Sequence, residues 1–185
     1  MTVGRILLRF EWRKVACIDR LLEEFLFVVS PKLAHVAIGF DCLVDELAVR
    51  LFEMVHSIDS VPLAEELNRR AEQSNQVIKV MIEVNLSKET TKFGTDEEQL
   101  FSLARRIQDL RHLSLRGLMT MPPYFDSPEM SRPYYVALRE LKEKMIREGV
   151  PLQELSMGMS NDFEIAVEEG ATFVRVGTAI FGPRR

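Results

Sequence analysis

The sequence contains little cysteine and little histidine, and this scarcity limits the kinds of site it can build. Only two cysteines, Cys17 and Cys42, occur among the 185 residues, and their spacing does not fit a metal site. Isolated thiols of this kind are typical of a reducing compartment, so we predict a cytoplasmic protein. The three histidines are scattered along the chain, and we predict structural roles for them and no metal centre.

Long apolar runs and a basic stripe are also lacking. The longest apolar runs, such as Phe25–Ser30, are far shorter than a membrane span. Charged residues at Arg5, Arg9, Glu11 and Arg13 interrupt the apolar N-terminal stretch, so no signal peptide is predicted. The net charge is −4, from 24 basic and 28 acidic residues, and it makes nucleic acid an unfavourable partner.

The remaining composition is that of an ordinary globular domain. Hydrophobic residues make up 46% of the chain and charged residues 28%. The length suffices for one domain with a proper core, and we expect a monomer or weak self-association. Within that domain, residues 1–52 form an irregular N-terminal segment, whereas residues 53–185 show a regular pattern.

The regular pattern is an alternation of strands and helices. The predicted strands are Met54–Ile58, Val77–Leu86, Leu113–Met121, Leu152–Met157 and Thr172–Val176. The predicted helices are Pro62–Ser74, Asp96–Leu110, Ser131–Glu148 and Asn161–Glu169. Such alternation indicates a parallel sheet with helical crossovers. We therefore predict an α/β fold of the (β/α)8 TIM-barrel type, incomplete or irregular over residues 1–52.

Two of these helices carry the sequence signature of a capping box at their N-terminus. Thr95 with Glu98, and Asn161 with Glu164, have the spacing in which each side chain bonds the other residue's backbone N–H. Gly170 follows the second of these helices and is the predicted helix stop.

A small or hydroxyl residue stands at the turn after each of the last two predicted strands. Gly158-Met159-Ser160 follows one strand, and Gly177-Thr178-Ala179 follows the next. Such turns expose backbone N–H groups at helix starts, which bind phosphate. Adjacent turns near the end of a (β/α)8 chain are a common phosphate site in barrels.

Arg175 precedes the second of these turns. Side chains alternate along a strand, so Phe173, Arg175 and Gly177 share one face while Val174 and Val176 share the other. The valines suit the face under the helices, which directs Arg175 into the barrel mouth. A buried guanidinium needs an acceptor or an anion, so Arg175 contacts either a bound ligand or a neighbouring carboxylate.

Several motifs together resemble the pyridoxal-phosphate homeostasis proteins, whose barrel is similar to the N-terminal domain of alanine racemase. The matching pieces are HSIDS at His56–Ser60, LAEELNRRA at Leu63–Ala71, IEVNLSKETTKFG at Ile82–Gly94, LRGLMTMPP at Leu115–Pro123 and LSMGMSNDFEIAVEEGATFVRVGTAIFG at the end. They occur in the family's order and cover the chain from Val49 to its C-terminus.

The resemblance implies a cradle for pyridoxal 5′-phosphate (PLP). Ser160, Gly177 and Thr178 would hold the phosphate, Met157 would lie in the same site, and Arg175 would face the pyridine nitrogen. An arginine donor keeps that nitrogen unprotonated, which weakens the ring as an electron sink. The resemblance thus implies a carrier or regulator of PLP rather than a catalyst.

The front of the chain departs from the family pattern. Family members carry a PLP-binding lysine in a Val-Ser-Lys-Thr-like stretch of the first barrel strand. Here Phe27-Val28-Val29-Ser30-Pro31-Lys32 is the nearest match, and Pro31 stands where the lysine should be. Pro31 also disturbs any strand that would carry Lys32. We therefore expect weak, mainly non-covalent PLP binding and no racemase or transaminase turnover.

Two other functions are compatible with the same residues. One is a barrel enzyme that acts on a phosphorylated metabolite, with Lys79 and Glu83 on one strand face as acid–base candidates or as a structural ion pair. The other is an inactive, truncated family member. The absorbance of the protein after PLP addition separates these alternatives, because only a PLP-binding protein changes the spectrum.

Overall fold

The computed structural model describes residues 52–87 and 93–182, together with a short strand at Val15–Ala16. Strands and helices alternate along this part of the chain. The strands are β1 (Val15–Ala16), β2 (Met54–Ile58), β3 (Ile78–Glu83), β4 (Leu113–Met119), β5 (Glu154–Met159) and β6 (Phe173–Arg175). The helices are α1 (Val61–Gln73), α2 (Glu97–Asp109), α3 (Arg132–Arg147), α4 (Phe163–Glu168) and α5 (Thr178–Phe181), with a 3₁₀ turn at Pro128–Ser131.

All six strands form one parallel sheet whose order is the order of the chain, from β1 to β6. This arrangement is a half-barrel, and it confirms the predicted parallel α/β fold. The predicted irregularity of residues 1–52 falls almost wholly outside the described residues. Within the described ranges, no helix is both long and apolar enough to cross a bilayer.

One face of the sheet, here called the outer face, packs under the helices. Strands contribute aliphatic residues such as Val80, Ile82 and Leu118, and helices contribute residues such as Leu67 and Leu103, all at most 2% exposed. Helical residues reach this core because α1, α2 and α3 place apolar side chains at spacings of three and four residues. The outer face therefore carries the main hydrophobic core.

The opposite face, here called the inner face, has a smaller apolar cluster. Met54, Met81 and Met119 are buried there, with Met121 and Phe173 packed against them. Methionine fills irregular space well because its side chain is unbranched and flexible. Polar groups lie on the same face, so the inner face is the chemically mixed side of the sheet.

The helix starts differ from the predicted capping boxes. The N-cap of α2 is Asp96, whose side chain accepts a hydrogen bond from the Gln99 N–H at 2.8 Å, so the Thr95–Glu98 box is wrong. Helix α4 begins after Asp162, without a side-chain cap, and the Asn161 side chain instead donates to the Phe125 carbonyl. In both cases the N-cap is an aspartate one residue after the predicted cap, but only Asp96 caps its helix through its side chain.

Candidate functional site

The turns after β5 and β6 meet at one edge of the sheet. The backbone N–H of Gly177 donates to Ser160 Oγ at 3.0 Å, and the N–H of Ala179 donates to the same oxygen at 3.2 Å. Two N–H groups at the start of α5 thus converge on a single oxygen position. Among the described residues, the Ser160 hydroxyl accepts these two bonds and donates none, so its own proton is available to an acceptor.

Hydrogen bonds to the Asp162 carboxylate hold the turn that contains Ser160. Its Oδ1 accepts from the Met159 N–H at 2.7 Å, and its Oδ2 accepts from the Ser131 hydroxyl at 2.8 Å. Asp162 and Ser131 are both buried, at 9% and 1% exposure. Gly158 begins the turn with φ of +92°, and a Cβ there would lie 2.5 Å from the Ala166 Cβ. The turn is therefore rigid and closely packed against α4.

An ion-pair network joins α3 to the end of α4. Arg132 bonds Glu168 and Glu169 at 2.7 Å each, and it also pairs with Glu129. Arg139 pairs with the second oxygen of Glu169. These arginines lower the pKa of Glu169, with the hydrogen bond from Arg132 the largest cause. The network orients α4, and with it the turn that carries Ser160.

Arg175 projects from β6 onto the inner face, as the strand alternation predicts. Its Nη1 donates to Ser156 Oγ at 2.6 Å, and its Nη2 donates to the Thr120 carbonyl at 2.9 Å. Thr120 is itself held, because its hydroxyl donates to the Val84 carbonyl at 2.9 Å. Arg175 is half-buried and lies two residues before Gly177 in the chain, so the segment that carries this fixed cation leads directly to the converging N–H groups.

His56 completes the polar group on the inner face. Its Nδ1 lies 2.9 Å from Ser156 Oγ, and its ring packs edge-on against Phe173 with centroids 5.2 Å apart. The side chain is 1% exposed, and its Nε2 has no hydrogen-bond partner among the described residues. Burial, and then the charge of Arg175, lower the pKa of His56 to about 3, so the imidazole is neutral.

The structure brings most of the predicted site residues together. Ser160, Gly177 and Thr178 lie at the same edge of the sheet, and Arg175 reaches toward it from the inner face. Met157 does not join them, because it is fully buried in the outer-face core and alternates with Ser156 along β5. The weak covalent candidate Lys32 lies outside the described residues.

The acid–base pair of the alternative hypothesis is spread along its strand. Lys79 is exposed near the start of β3, whereas Glu83 is 2% exposed at its end. Residues four apart in a strand have Cα atoms about 13 Å from each other. Lys79 and Glu83 therefore lie at opposite ends of β3, which does not favour their action on one reacting atom.

Sequence reasoning missed Ser156, Thr120 and Asp162 as parts of the site. A signal for Ser156 exists in the sequence, since it is the polar residue between Leu155 and Met157 in a buried strand. Its two partners lie 100 and 19 residues away in the chain, so its role could not be read from local spacing.

A family model described as "Alanine racemase, N-terminal domain" matches residues 34–185. The chain belongs to this family. The resemblance that the motifs predict is thereby confirmed, and so is the fold class.

The two curated relatives described next have the same name. The chain is 49% identical over 133 residues to the pyridoxal phosphate homeostasis protein of Aquifex aeolicus, with 71% of this chain and 58% of the relative covered. It is 39% identical over 138 residues to that of Vibrio alginolyticus, with coverage of 75% and 59%. The chain thus spans a little under three fifths of the length of these relatives.

Solved structures agree with this assignment. PipY of Synechococcus elongatus, solved with PLP bound, superposes with a TM-score of 0.70 at 32% identity, covering 78% of this chain and 68% of PipY. Diaminopimelate decarboxylase of Helicobacter pylori superposes with a TM-score of 0.64 at 12% identity, covering 90% and 57%. At this low identity, the second comparison shows only that the two proteins share a fold.

Proposed function

We propose that this chain binds pyridoxal 5′-phosphate without a covalent bond and acts as a carrier or regulator of it in the cytoplasm. The observation that carries the proposal is the convergence of the Gly177 and Ala179 N–H groups on the Ser160 hydroxyl, together with the Arg175 guanidinium held on the inner face. Support also comes from the PipY structure, which has PLP bound, and from the name of the curated relatives.

The donor set fits the two ends of PLP. A phosphate needs several donors around one point, and the turn offers two backbone N–H groups and one hydroxyl there. A pyridine nitrogen is an acceptor, and Arg175 offers only donors. When bound, PLP supplies an electron sink, and an arginine beside its ring nitrogen leaves that sink weak.

Ser160 also satisfies the N–H groups when no anion is present. Unpaired N–H groups in a partly buried turn are costly, and the hydroxyl removes this cost. An incoming phosphate must therefore compete with Ser160 for the same donors. This competition lowers affinity and favours release, which suits a protein that carries its ligand and passes it on.

The decisive experiment is an equilibrium titration with PLP of the parent protein and of Arg175→Leu. We expect the substitution to weaken binding by about tenfold or more, because a hydrogen bond to a charged group contributes about 1.5–3 kcal/mol. Arg111→Leu, at an exposed position away from the sheet edge, is the matched control and should bind like the parent. Equal affinity of Arg175→Leu and the parent would remove Arg175 from the site.

A second measurement tests the absence of a covalent bond. The protein is mixed with PLP, reduced with borohydride and mapped by peptide mass spectrometry. We expect scattered, substoichiometric labelling of surface lysines. A single stoichiometric adduct on Lys32 would restore the covalent mode of binding.

A further inference from the structure

A chain of hydrogen bonds crosses the inner face behind the proposed ligand position. It runs from Arg175 on β6 to Ser156 on β5 and on to His56 on β2. His56 reaches Ser156 across β3 and β4, which lie between their strands in the sheet. Ser156 is fully buried and His56 nearly so, which makes the chain an internal feature rather than a surface contact.

The direction of each hydrogen bond follows from the available protons. A guanidinium only donates, so Ser156 Oγ accepts from Arg175. The one proton of the hydroxyl then needs an acceptor, and among the described residues its other partner is His56 Nδ1. The imidazole is neutral, so its proton lies on Nε2.

The opposite tautomer would leave more groups unsatisfied. If Nδ1 carried the proton and donated to Ser156, the hydroxyl proton and the bare Nε2 would both lack partners within the described part of the chain. With the proton on Nε2, this N–H is the one group of the pair that lacks a partner among the residues that the structure describes. Because each unpaired buried polar group is costly, the tautomer with its proton on Nε2 is the more stable one.

We propose that His56 and Ser156 are positioning residues, which hold the Arg175 guanidinium in the orientation that the ligand needs and act through His56 Nδ1. Strand β6 is only three residues long, so its backbone alone fixes the arginine poorly. The side chain is fixed instead by Ser156 and by the Thr120 carbonyl. Nε2 is enclosed by the protein and takes no part.

This inference rests on the proposed function, and a pair of variants at His56 tests it. Asn places an amide oxygen near the position of Nδ1, whereas Gln places its amide near the position of Nε2. We expect His56→Asn to bind PLP within about threefold of the parent and His56→Gln to bind it about tenfold more weakly. PLP affinity of His56→Gln equal to that of the parent would overturn the proposal.

Ser156→Ala tests the other member of the chain, with Ser114→Ala in β4 as the matched control. We expect Ser156→Ala to weaken PLP binding about tenfold and to shift the absorption band of the ligand at saturation, because the ring nitrogen meets a displaced arginine. A merely structural defect lowers the bound fraction but leaves the band in place. An unshifted band at saturation would therefore contradict a positioning role.

The ligand-free protein provides a readout that does not depend on PLP. Long-range proton–nitrogen NMR spectra distinguish the two imidazole tautomers, and His56→Asn identifies the His56 signals. We expect His56 of the parent to carry its proton on Nε2 and to lose that preference in Ser156→Ala. A parent with the proton on Nδ1 would overturn the hydrogen-bond chain itself, whereas failure of the parent to bind PLP would overturn the proposed function alone.

Discussion

The two faces of the sheet are built from different residues for different purposes. The outer face is mostly aliphatic and is covered by α1 to α4. The inner face mixes methionines with a histidine, a serine and an arginine that bond one another. Because side chains alternate along each strand, one strand serves both faces, as β5 does with Leu155 and Met157 outward and Ser156 inward. The comparison teaches that stability and ligand chemistry can be changed separately in this fold.

The largest effect on the free energy of unfolding is expected from a substitution on the outer face. Leu118 is fully buried in the core between β4 and the helices. We expect Leu118→Ala to lower the free energy of unfolding by about 2–5 kcal/mol, because it removes buried apolar area and leaves a cavity. Urea denaturation measures this loss. A change below about 1 kcal/mol would mean that the outer face is not the main source of stability.

The next effect concerns the turn after β5, which packs against α4 and carries Ser160. Gly158 and Gly170 have the same φ of +92°, but a Cβ at Gly158 would strike Ala166 and Phe163, whereas one at Gly170 meets nothing within 4 Å. We expect Gly158→Ala to cost about 2–4 kcal/mol, from strain and overpacking together.

Gly170→Ala is the control for that substitution and should cost only about 1 kcal/mol, since it adds strain without a clash. Thermal unfolding of both variants separates the two contributions. Equal costs would show that the turn is not packed against α4.

A third effect belongs to the inner face and depends on pH. His56 has a pKa of about 3 in the folded protein, below its ordinary value of 6.5. Between these values the unfolded chain binds the extra proton, so stability is complete above pH 6.5 and falls as the pH is lowered. At pH 5 the loss is about 2 kcal/mol. Denaturation of the ligand-free protein at pH 7 and pH 5 measures it.

His56→Asn should abolish this pH dependence, whereas His112→Asn should retain it. Hydrogen bonds from Arg69 and Arg70 lower the pKa of Glu66 from 4.5 to about 2, so its contribution to stability is lost mainly below pH 4.5, outside the range compared. A parent whose stability is the same at both pH values would mean that His56 is not held neutral on the inner face.

The smallest expected effect is a volume-conserving change on the inner face. Met119→Leu keeps the size of a fully buried side chain in the methionine cluster. We expect a cost below about 1.5 kcal/mol and unchanged PLP affinity, since the flexible cluster can repack around the new side chain. Denaturation and PLP titration together check this. A larger loss than that of Leu118→Ala would reverse the comparison between the two faces.

Much of this arrangement could be predicted from the sequence because it depends on local pattern. Strand and helix periods gave the order of elements, and the alternation in β6 gave the direction of Arg175. The partners of Arg175 could not be predicted, because they come from β5 and from the segment after β4. The N-cap of α2 was misassigned by one residue, since Thr95 and Asp96 are adjacent polar residues and only the backbone geometry decides which of them caps the helix.

Met157 shows why face assignment is harder at the end of a strand. The sequence places it next to the Gly158 turn, close to the predicted phosphate position. Met157 lies next to Ser156 in β5, before the turn that begins at Gly158, so its side chain points to the opposite face and packs under the helices. A shift of one residue in the assumed end of a strand changes which of its side chains can meet a ligand.

Each strand from β2 to β6 pairs with the strand that precedes it in the chain. During synthesis, each described strand after β2 therefore finds the strand that it pairs with already made. Closing such short stretches costs little chain entropy, which favours stepwise growth of the sheet in the order of translation. Ser160 and Gly177 come last in this order, so the ligand edge is completed only after the scaffold beneath it has formed.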